Sequence, residues 1–306
     1  MLQYLIILLD DTSTSYCHYE NPVKKARPIP LDILKAGIRF GMMENLMIQF
    51  VYPDYELPAE YKEVIESIDH SKIMPTKEDA DVWVVNSIKD VMADIPVVWR
   101  TDRQALFDSE PYVVNVLENV PRLNIVLTDV TEFTDADFDA YKAFLQRLSA
   151  KIEQLYVDGK APQLNLLTDR MMLKEMNNCG AGDTTITLAP NGRFYICPAF
   201  YYENEADSIG DLENGLDIKN KQLYRLDHAP ICRHCEAYQC KRCIWLNRRM
   251  TLEVNTPSHE QCMMAHLERN VSRELLLSIR KHGSFLPETE ISEIDYLDPF
   301  DKRDEW

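Results

Sequence analysis

Seven of the eight cysteines of this chain lie between residues 179 and 262, with spacings typical of metal ligands. They are Cys179, Cys197, Cys232, Cys235, Cys240, Cys243 and Cys262. Two Cys-x2-Cys pairs separated by four residues bring thiolates together on short loops, as a metal centre requires. An odd number of cysteines, paired at such close spacing, favours metal ligation over disulfides. Four thiolates suit zinc or an iron–sulfur cluster, so the residue types leave both open.

The first two of these cysteines flank a predicted β-hairpin. Two short β-rich runs lie on either side of Asn191-Gly192, between Cys179 and Cys197. Asn-Gly is typical of a two-residue type I′ turn, because both central residues of that turn need a positive φ. Cys197 is therefore predicted to end the second strand, and this hairpin context favours an iron–sulfur cluster over zinc.

The cysteine spacing together with Gly192 resembles the SPASM domain, the auxiliary iron–sulfur module of radical SAM peptide-modifying enzymes. The resemblance covers residues 179–265, although the last two spacings of this chain are each one residue shorter than usual. It implies one or two 4Fe–4S clusters, with zinc as the alternative metal. By this resemblance one cluster is held by Cys232, Cys235, Cys240 and Cys262. The other would have three of its corners held by Cys179, Cys197 and Cys243.

Outside this block, short apolar runs alternate with amphipathic segments. The runs that predict strands are 5–9, 46–52, 82–85, 97–99, 123–127 and 164–167. The segments that predict helices are 30–45, 61–68, 135–156 and a last helix from 258 to about 282, where Ser258 and Gln261 fit a capping box. Alternating β and α units predict a parallel sheet or barrel with right-handed crossovers.

The loop after the first strand lacks a motif that radical SAM enzymes need. Those enzymes carry Cys-x3-Cys-x2-Cys there, and the three thiolates hold the cluster that cleaves S-adenosylmethionine (SAM). In this chain the corresponding residues are Asp10, Thr14 and Cys17. One thiolate cannot hold that cluster, so we expect no SAM cleavage by this chain.

The two features together define the predicted fold. The chain is expected to be α/β, with a degenerate radical-SAM-like partial (βα) barrel over residues 1–178. A small Cys-rich SPASM-type domain follows over 179–265, and a C-terminal helix with an acidic tail covers 266–306. The segments 4–22 and 50–58 resemble the CXXX repeat peptide maturase family of Bacteroidales, a group of pseudo-radical-SAM maturation proteins.

This resemblance implies an accessory role in maturing a ribosomally synthesised, cysteine-repeat precursor peptide. The implied partners are the precursor peptide and a radical SAM maturase. One alternative is a peptide-modifying enzyme that uses an open auxiliary cluster or Cys17, and another is a zinc-stabilised peptide-binding module. No residue is assigned a catalytic role. Tyr52, Tyr55 and Tyr61, with nearby acidic residues, predict either a peptide groove or an ordinary surface loop.

The net charge and the hydropathy of the chain argue against some classes of partner and location. The net charge of −17 argues against nucleic acid, whose phosphates would be repelled, and is compatible with a basic peptide. The chain has no apolar run of about 18 residues, so no membrane-spanning helix is predicted. The first residues lack the basic region of a signal peptide, and a cytoplasmic location, which suits thiolate ligands, is expected.

Overall fold

The computed structural model describes residues 1–240 and 242–301, so residues 302–306 of the predicted acidic tail lie outside the described residues. The strands are β1 (Tyr4–Leu8), β2 (Met47–Val51), β3 (Ser71–Met74), β4 (Val82–Val85), β5 (Val97–Thr101), β6 (Leu123–Leu127), β7 (Thr185–Leu188), β8 (Phe194–Tyr195), β9 (Gly210–Asp211) and β10 (Gly215–Leu216). The helices are α1 (Leu31–Met43), α2 (Ala59–Ile65), α3 (Arg103–Asp108), α4 (Glu110–Asn119), α5 (Asp135–Val157), α6 (Thr168–Met172), α7 (Pro198–Glu203), α8 (Ile244–Thr251) and α9 (His259–Ile279).

The chain forms two compact units, each built from separated segments. The first unit comprises Met1–Val84 and Cys179–Ala229, and the second comprises Val85–Asn178 and the chain from Pro230 onward. Neither unit coincides with a predicted domain, and the three-part division at 178 and 265 stays a prediction. Among the described residues, none of the helices combines the length and the apolar composition needed to cross a bilayer.

The first unit contains a mostly parallel sheet with the strand order β4-β3-β2-β1-β7-β8. The central strand β1 pairs in parallel with β2 on one side and β7 on the other. Leu5, Ile7 and Leu8 of β1 are fully buried, as expected for a parallel strand that is covered on both faces. The predicted alternation of parallel strands and helices is therefore confirmed for β1, α1 and β2.

The hairpin predicted at Asn191-Gly192 is present, but its turn is not type I′. Strands β7 and β8 are antiparallel, and Thr187 lies opposite Tyr195. Only Gly192 has a positive φ, of 78°, whereas Asn191 does not. The Gly192 amide donates to the Ala189 carbonyl at 2.9 Å. The loop is therefore longer than two residues, with a turn from Ala189 to Gly192 that ends in a glycine of left-handed φ. Pro190 takes the second position of that turn, where its fixed φ is suitable.

The second unit contains the parallel pair β5–β6 and the long helices α5 and α9, which pack against each other. Helix α5 matches the predicted span within one residue, and Thr134 and Asp137 form a capping box at its start. Helix α9 begins after the predicted cap, with the Ser258 hydroxyl accepting from the Gln261 amide at 3.4 Å. Both helices were predictable because their apolar spacing and their caps agree.

The strand predicted at 164–167 is wrong. Leu164 makes only an isolated bridge to Leu123, and α6 begins at Thr168. The physical reason is local, because the Leu164 amide donates to the Thr168 hydroxyl at 2.7 Å. That hydrogen bond ties the segment to the start of α6, and an apolar run that looks like a strand becomes a buried turn.

The β9–β10 hairpin gives a first testable prediction. Gly210 has a φ of +125°, and a Cβ there would lie 2.0 Å from the Gly215 carbonyl oxygen. The hairpin is joined to β8, because the Ile209 amide donates to the Phe194 carbonyl at 2.8 Å. We therefore expect Gly210→Ala to lower the free energy of unfolding by about 3 kcal/mol, measured by urea denaturation.

Gly215→Ala is the matched control for that variant. Gly215 also has a positive φ, of +78°, but a Cβ there meets nothing within 4 Å. We expect a loss of about 1 kcal/mol from the backbone conformation alone. Equal losses in the two variants would show that the contact with the Gly215 carbonyl does not matter.

Candidate metal centre

Four of the predicted ligands lie together in the second unit. Cys232 opens a short helical turn that Cys235 ends, and the Cys235 amide donates to the Cys232 carbonyl at 3.1 Å. Cys240 closes the next turn through its amide, which donates to Ala237 at 2.8 Å. Cys262 lies in the first turn of α9. Tight turns and a helix start thus present the four thiols, and none of them is in a disulfide.

Burial and mutual repulsion govern the protonation of these thiols. Burial raises the pKa of Cys232 to about 12 and that of Cys240 to about 11, and a neighbouring thiol adds to each shift. The pKa of Cys262 is raised by burial and then by Cys240, Cys232 and Cys235. Each thiol therefore needs a compensating positive charge to become a thiolate at neutral pH.

The four thiols influence one another without converging on a single ion. A zinc ion holds thiolate sulfurs at about 2.3 Å, which places the sulfurs only about 3.8 Å apart. Within residues 1–240 and 242–301, no group of three or more histidine, cysteine, aspartate or glutamate side chains could hold one metal ion. Four thiols are also the donor set of a four-thiolate zinc site, so zinc stays the alternative metal. An iron–sulfur cluster is larger than one ion, and four thiols are its donor chemistry.

His266 is a functional candidate that the sequence analysis missed. It is buried on α9, its Nε2 lies 3.7 Å from the Cys235 sulfur, and its Nδ1 lies 2.8 Å from the Cys262 carbonyl. Because a carbonyl only accepts, Nδ1 donates that hydrogen bond. Burial lowers the pKa of His266, so the ring is neutral and Nε2 accepts from the Cys235 thiol. Cys262 and His266 are four residues apart, which puts both on one face of a helix. That spacing could have indicated from the sequence that His266 lies near the thiols.

Two arginines that are almost fully buried supply positive charge near the thiols. Arg269 is 1% exposed and Arg170 is 3% exposed. Burial raises the pKa of Cys235, and the charges of both arginines partly oppose that rise. Arg170 forms an ion pair with Glu268, and Arg269 Nη2 donates to Glu236 at 2.8 Å. Both cations have carboxylate partners and Glu236 opposes their effect, so the arginines favour the thiolate form of Cys235 only in part.

The other predicted set is only partly brought together. Cys179 and Cys197 lie in the first unit, and Cys197 precedes α7, whose first amides donate to its sulfur. Burial raises the pKa of Cys197, and Cys179 and Cys17 raise it further through their charges. Cys17 therefore belongs to the same group of thiols. Cys243 precedes α8 in the second unit, and its predicted place beside Cys179 and Cys197 stays a prediction.

The loop after β1 is held by carboxylates at the place where radical SAM enzymes carry cysteines. Asp10 is fully buried, and its carboxylate accepts from the Thr12 amide at 2.7 Å and from the Tyr55 hydroxyl at 2.8 Å. Asp11 pairs with Arg27 Nε at 2.5 Å and accepts from the Tyr201 hydroxyl. The loop conformation is thus stabilised by internal hydrogen bonds and ion pairs.

Comparison of the sequence with known proteins does not show a family for this chain. No family model matches the chain. Polyribonucleotide nucleotidyltransferases of Ehrlichia ruminantium, from strains Gardel and Welgevonden, are 30% identical over 110 residues. That match covers 33% of this chain, and the chain spans only 14% of the length of those curated relatives.

Comparison by structure covers nearly the whole chain. Native anSMEcpe with bound AdoMet matches with a TM-score of 0.60 and 12% identity, over 90% of this chain and 99% of that one. Native anSMEcpe with bound AdoMet and Cp18Cys peptide matches with a TM-score of 0.61 and 11% identity, over 92% and 100%. At such low identity the likeness concerns the fold alone. The chain has a radical-SAM-like α/β fold.

Proposed function

We propose that this chain is an accessory protein in the maturation of a ribosomally synthesised, cysteine-repeat precursor peptide. It would work beside an intact radical SAM enzyme, as the CXXX repeat peptide maturase resemblance implies. The observation that carries the proposal is a radical-SAM-like fold with a single thiol, Cys17, in the loop after β1. The positions of the other two cysteines hold Asp10 and Thr14, and Asp10 is committed to hydrogen bonds within the loop.

In this proposal Cys232, Cys235, Cys240 and Cys262 hold a 4Fe–4S cluster, a group that transfers single electrons when bound. Two kinds of observation support it: the four thiols share one unit, and two buried arginines lower the pKa of Cys235. His266 Nε2 lies 3.7 Å from the Cys235 sulfur, and it would donate to that sulfur as a thiolate only when both ring nitrogens carry a proton. Cys179, Cys197 and Cys243 would hold three corners of a second cluster.

The peptide partner is proposed from the fold neighbours. Structures of anSMEcpe contain bound Cp18Cys and Kp18Cys peptides, so a protein of this fold can hold a cysteine-containing peptide. Transferred to this chain, the fold would serve as a binding scaffold for the precursor. The radical chemistry would come from the partner enzyme.

We expect this chain alone not to cleave SAM, because two of the three cluster cysteines are absent from the loop. Reduced and iron-loaded protein is incubated with SAM, and the 5′-deoxyadenosine formed is measured by chromatography. The amount should equal that of a metal-free control, while an intact radical SAM enzyme under the same conditions gives turnover. Formation above the metal-free control would refute this part of the proposal.

A further inference from the structure

A cleft of about 400 Å³ lies at the carboxyl ends of β2 and β3, within the first unit. We call it the tyrosine cleft, because Tyr52, Tyr55 and Tyr61 line it. Tyr52 directly follows β2, and Tyr61 lies in α2. The volume is within the range of about 300–1,000 Å³ typical of ligand pockets. The carboxyl ends of parallel strands are also where open α/β sheets bind ligands.

The hydroxyl groups of two of these tyrosines are held by acceptors within the unit. The Tyr55 hydroxyl donates to Asp10 at 2.8 Å, and the Tyr61 hydroxyl donates to the Ile29 carbonyl at 2.7 Å. Since these hydroxyls are engaged, the side chains offer mainly ring carbon to the cleft. Aromatic rings held in place in this way provide negative faces that attract a cation.

Carboxylates outnumber ammonium groups along the cleft. The charged residues lining it are Asp54, Glu56, Glu66, Glu78, Asp79, Lys62 and Lys72. Lys72 Nζ lies 2.5 Å from Glu66, and Lys62 Nζ lies 3.8 Å from Asp79, so each ammonium group already has an acidic partner. The other three carboxylates leave the cleft with a surplus of negative charge.

Carboxylates in and beside the cleft also act on the tyrosines, including two that have lysine partners. Burial raises the pKa of Tyr52, and the negative charges of Glu66, Asp79 and Asp81 raise it further. Burial likewise raises the pKa of Tyr55, with the Asp10 hydrogen bond as the next cause. A negative potential therefore extends to the ring that follows β2, where a cationic group would be stabilised and an anionic one repelled.

From the cavity, the rings and the charge surplus we infer that the tyrosine cleft binds lysine or arginine side chains of a peptide. A guanidinium plane stacks on tyrosine rings and donates charge-assisted hydrogen bonds to Asp54 and Glu56. A lysine packs its apolar stem on the rings and presents its ammonium group to the same carboxylates. The inference rests on the proposed function and deepens it, because it assigns a basic segment to the precursor peptide.

The test uses the full chain and two fluorescein-labelled peptides under reducing conditions. One peptide contains three Cys-Lys-Gly-Arg units, and in the other each basic residue is glutamine. Binding is followed by fluorescence anisotropy. The cleft variant combines Asp54→Asn with Glu56→Gln, both at exposed positions. The matched control combines Glu44→Gln with Glu63→Gln, which removes the same charge from exposed positions that do not line the cleft.

We expect the parent chain to bind the basic peptide and the cleft variant to bind it about tenfold more weakly, with the control variant within about twofold of the parent. Equal weakening in both variants, or none in the cleft variant, would overturn the cleft assignment. Equal binding of the basic and glutamine peptides would overturn it as well and would leave the proposed peptide partner intact. Binding of neither peptide by the parent would overturn both proposals.

Discussion

Replacing Cys240 with alanine is expected to remove about half or more of the bound iron and to make the segment 230–243 sensitive to protease. Residues 230–240 form short turns, and the thiols of Cys232, Cys235 and Cys240 are the groups that a metal centre would join to Cys262 at the start of α9. Metal binding of this kind supplies folding free energy, because the ligands meet only in the folded state. Limited proteolysis and iron analysis on anaerobically purified protein measure both effects.

The control for Cys240→Ala is Cys243→Ala, which removes a thiol from the other predicted set. That set has three assigned thiols instead of four. Removing the Cys243 thiol is therefore expected to leave the segment 230–240 resistant to protease. Cys17→Ala is a second control, since Cys17 lies in the first unit. If Cys240→Ala were as iron-rich and as resistant as the parent, the four-cysteine assignment would be wrong.

Much of the fold was predictable because several local signals agreed. The apolar runs at Val82–Val85 and Leu123–Leu127 are strands with these bounds, and α5 combines a regular apolar face with a capping box. Strand β3 was missed, because only Ile73 of its four residues is buried and no clear alternation marks it. The run at 164–167 was wrongly predicted as a strand, because its leucines are buried as in a strand but lie in a turn.

The candidate site was predictable in its ligand types but not in its surroundings. The cysteine spacing indicated a block of metal ligands, and the SPASM resemblance implied that Cys232, Cys235 and Cys240 belong to one set. Arg170 comes from a segment far from them in the sequence, so no local pattern could place it nearby. The three tyrosines of the tyrosine cleft were predicted as a groove or an ordinary loop, and tertiary structure was needed to place them along one cavity.

Replacing Glu268 with alanine is expected to lower the free energy of unfolding by about 3–5 kcal/mol, because it leaves the Arg170 charge buried without its carboxylate partner. Arg170 and Glu268 are 3% and 6% exposed, and Glu268 also accepts from the Tyr141 hydroxyl at 2.6 Å. Arg170 Nη1 would keep its bonds to the carbonyls of 165 and 166, which do not neutralise the charge. Urea denaturation of the iron-loaded protein measures the loss.

Glu274→Ala is the matched control, since Glu274 is an exposed residue on the same helix, where a substitution changes stability by about 0.5 kcal/mol or less. A double variant, Arg170→Met with Glu268→Leu, removes both charges and is expected to recover most of the stability that Glu268→Ala loses. It also removes the opposite effects of Arg170 and Glu268 on the pKa of Cys240 together, so its iron content should stay close to that of the parent. A Glu268→Ala variant as stable as Glu274→Ala would show that this ion pair does not hold α6 and α9 together.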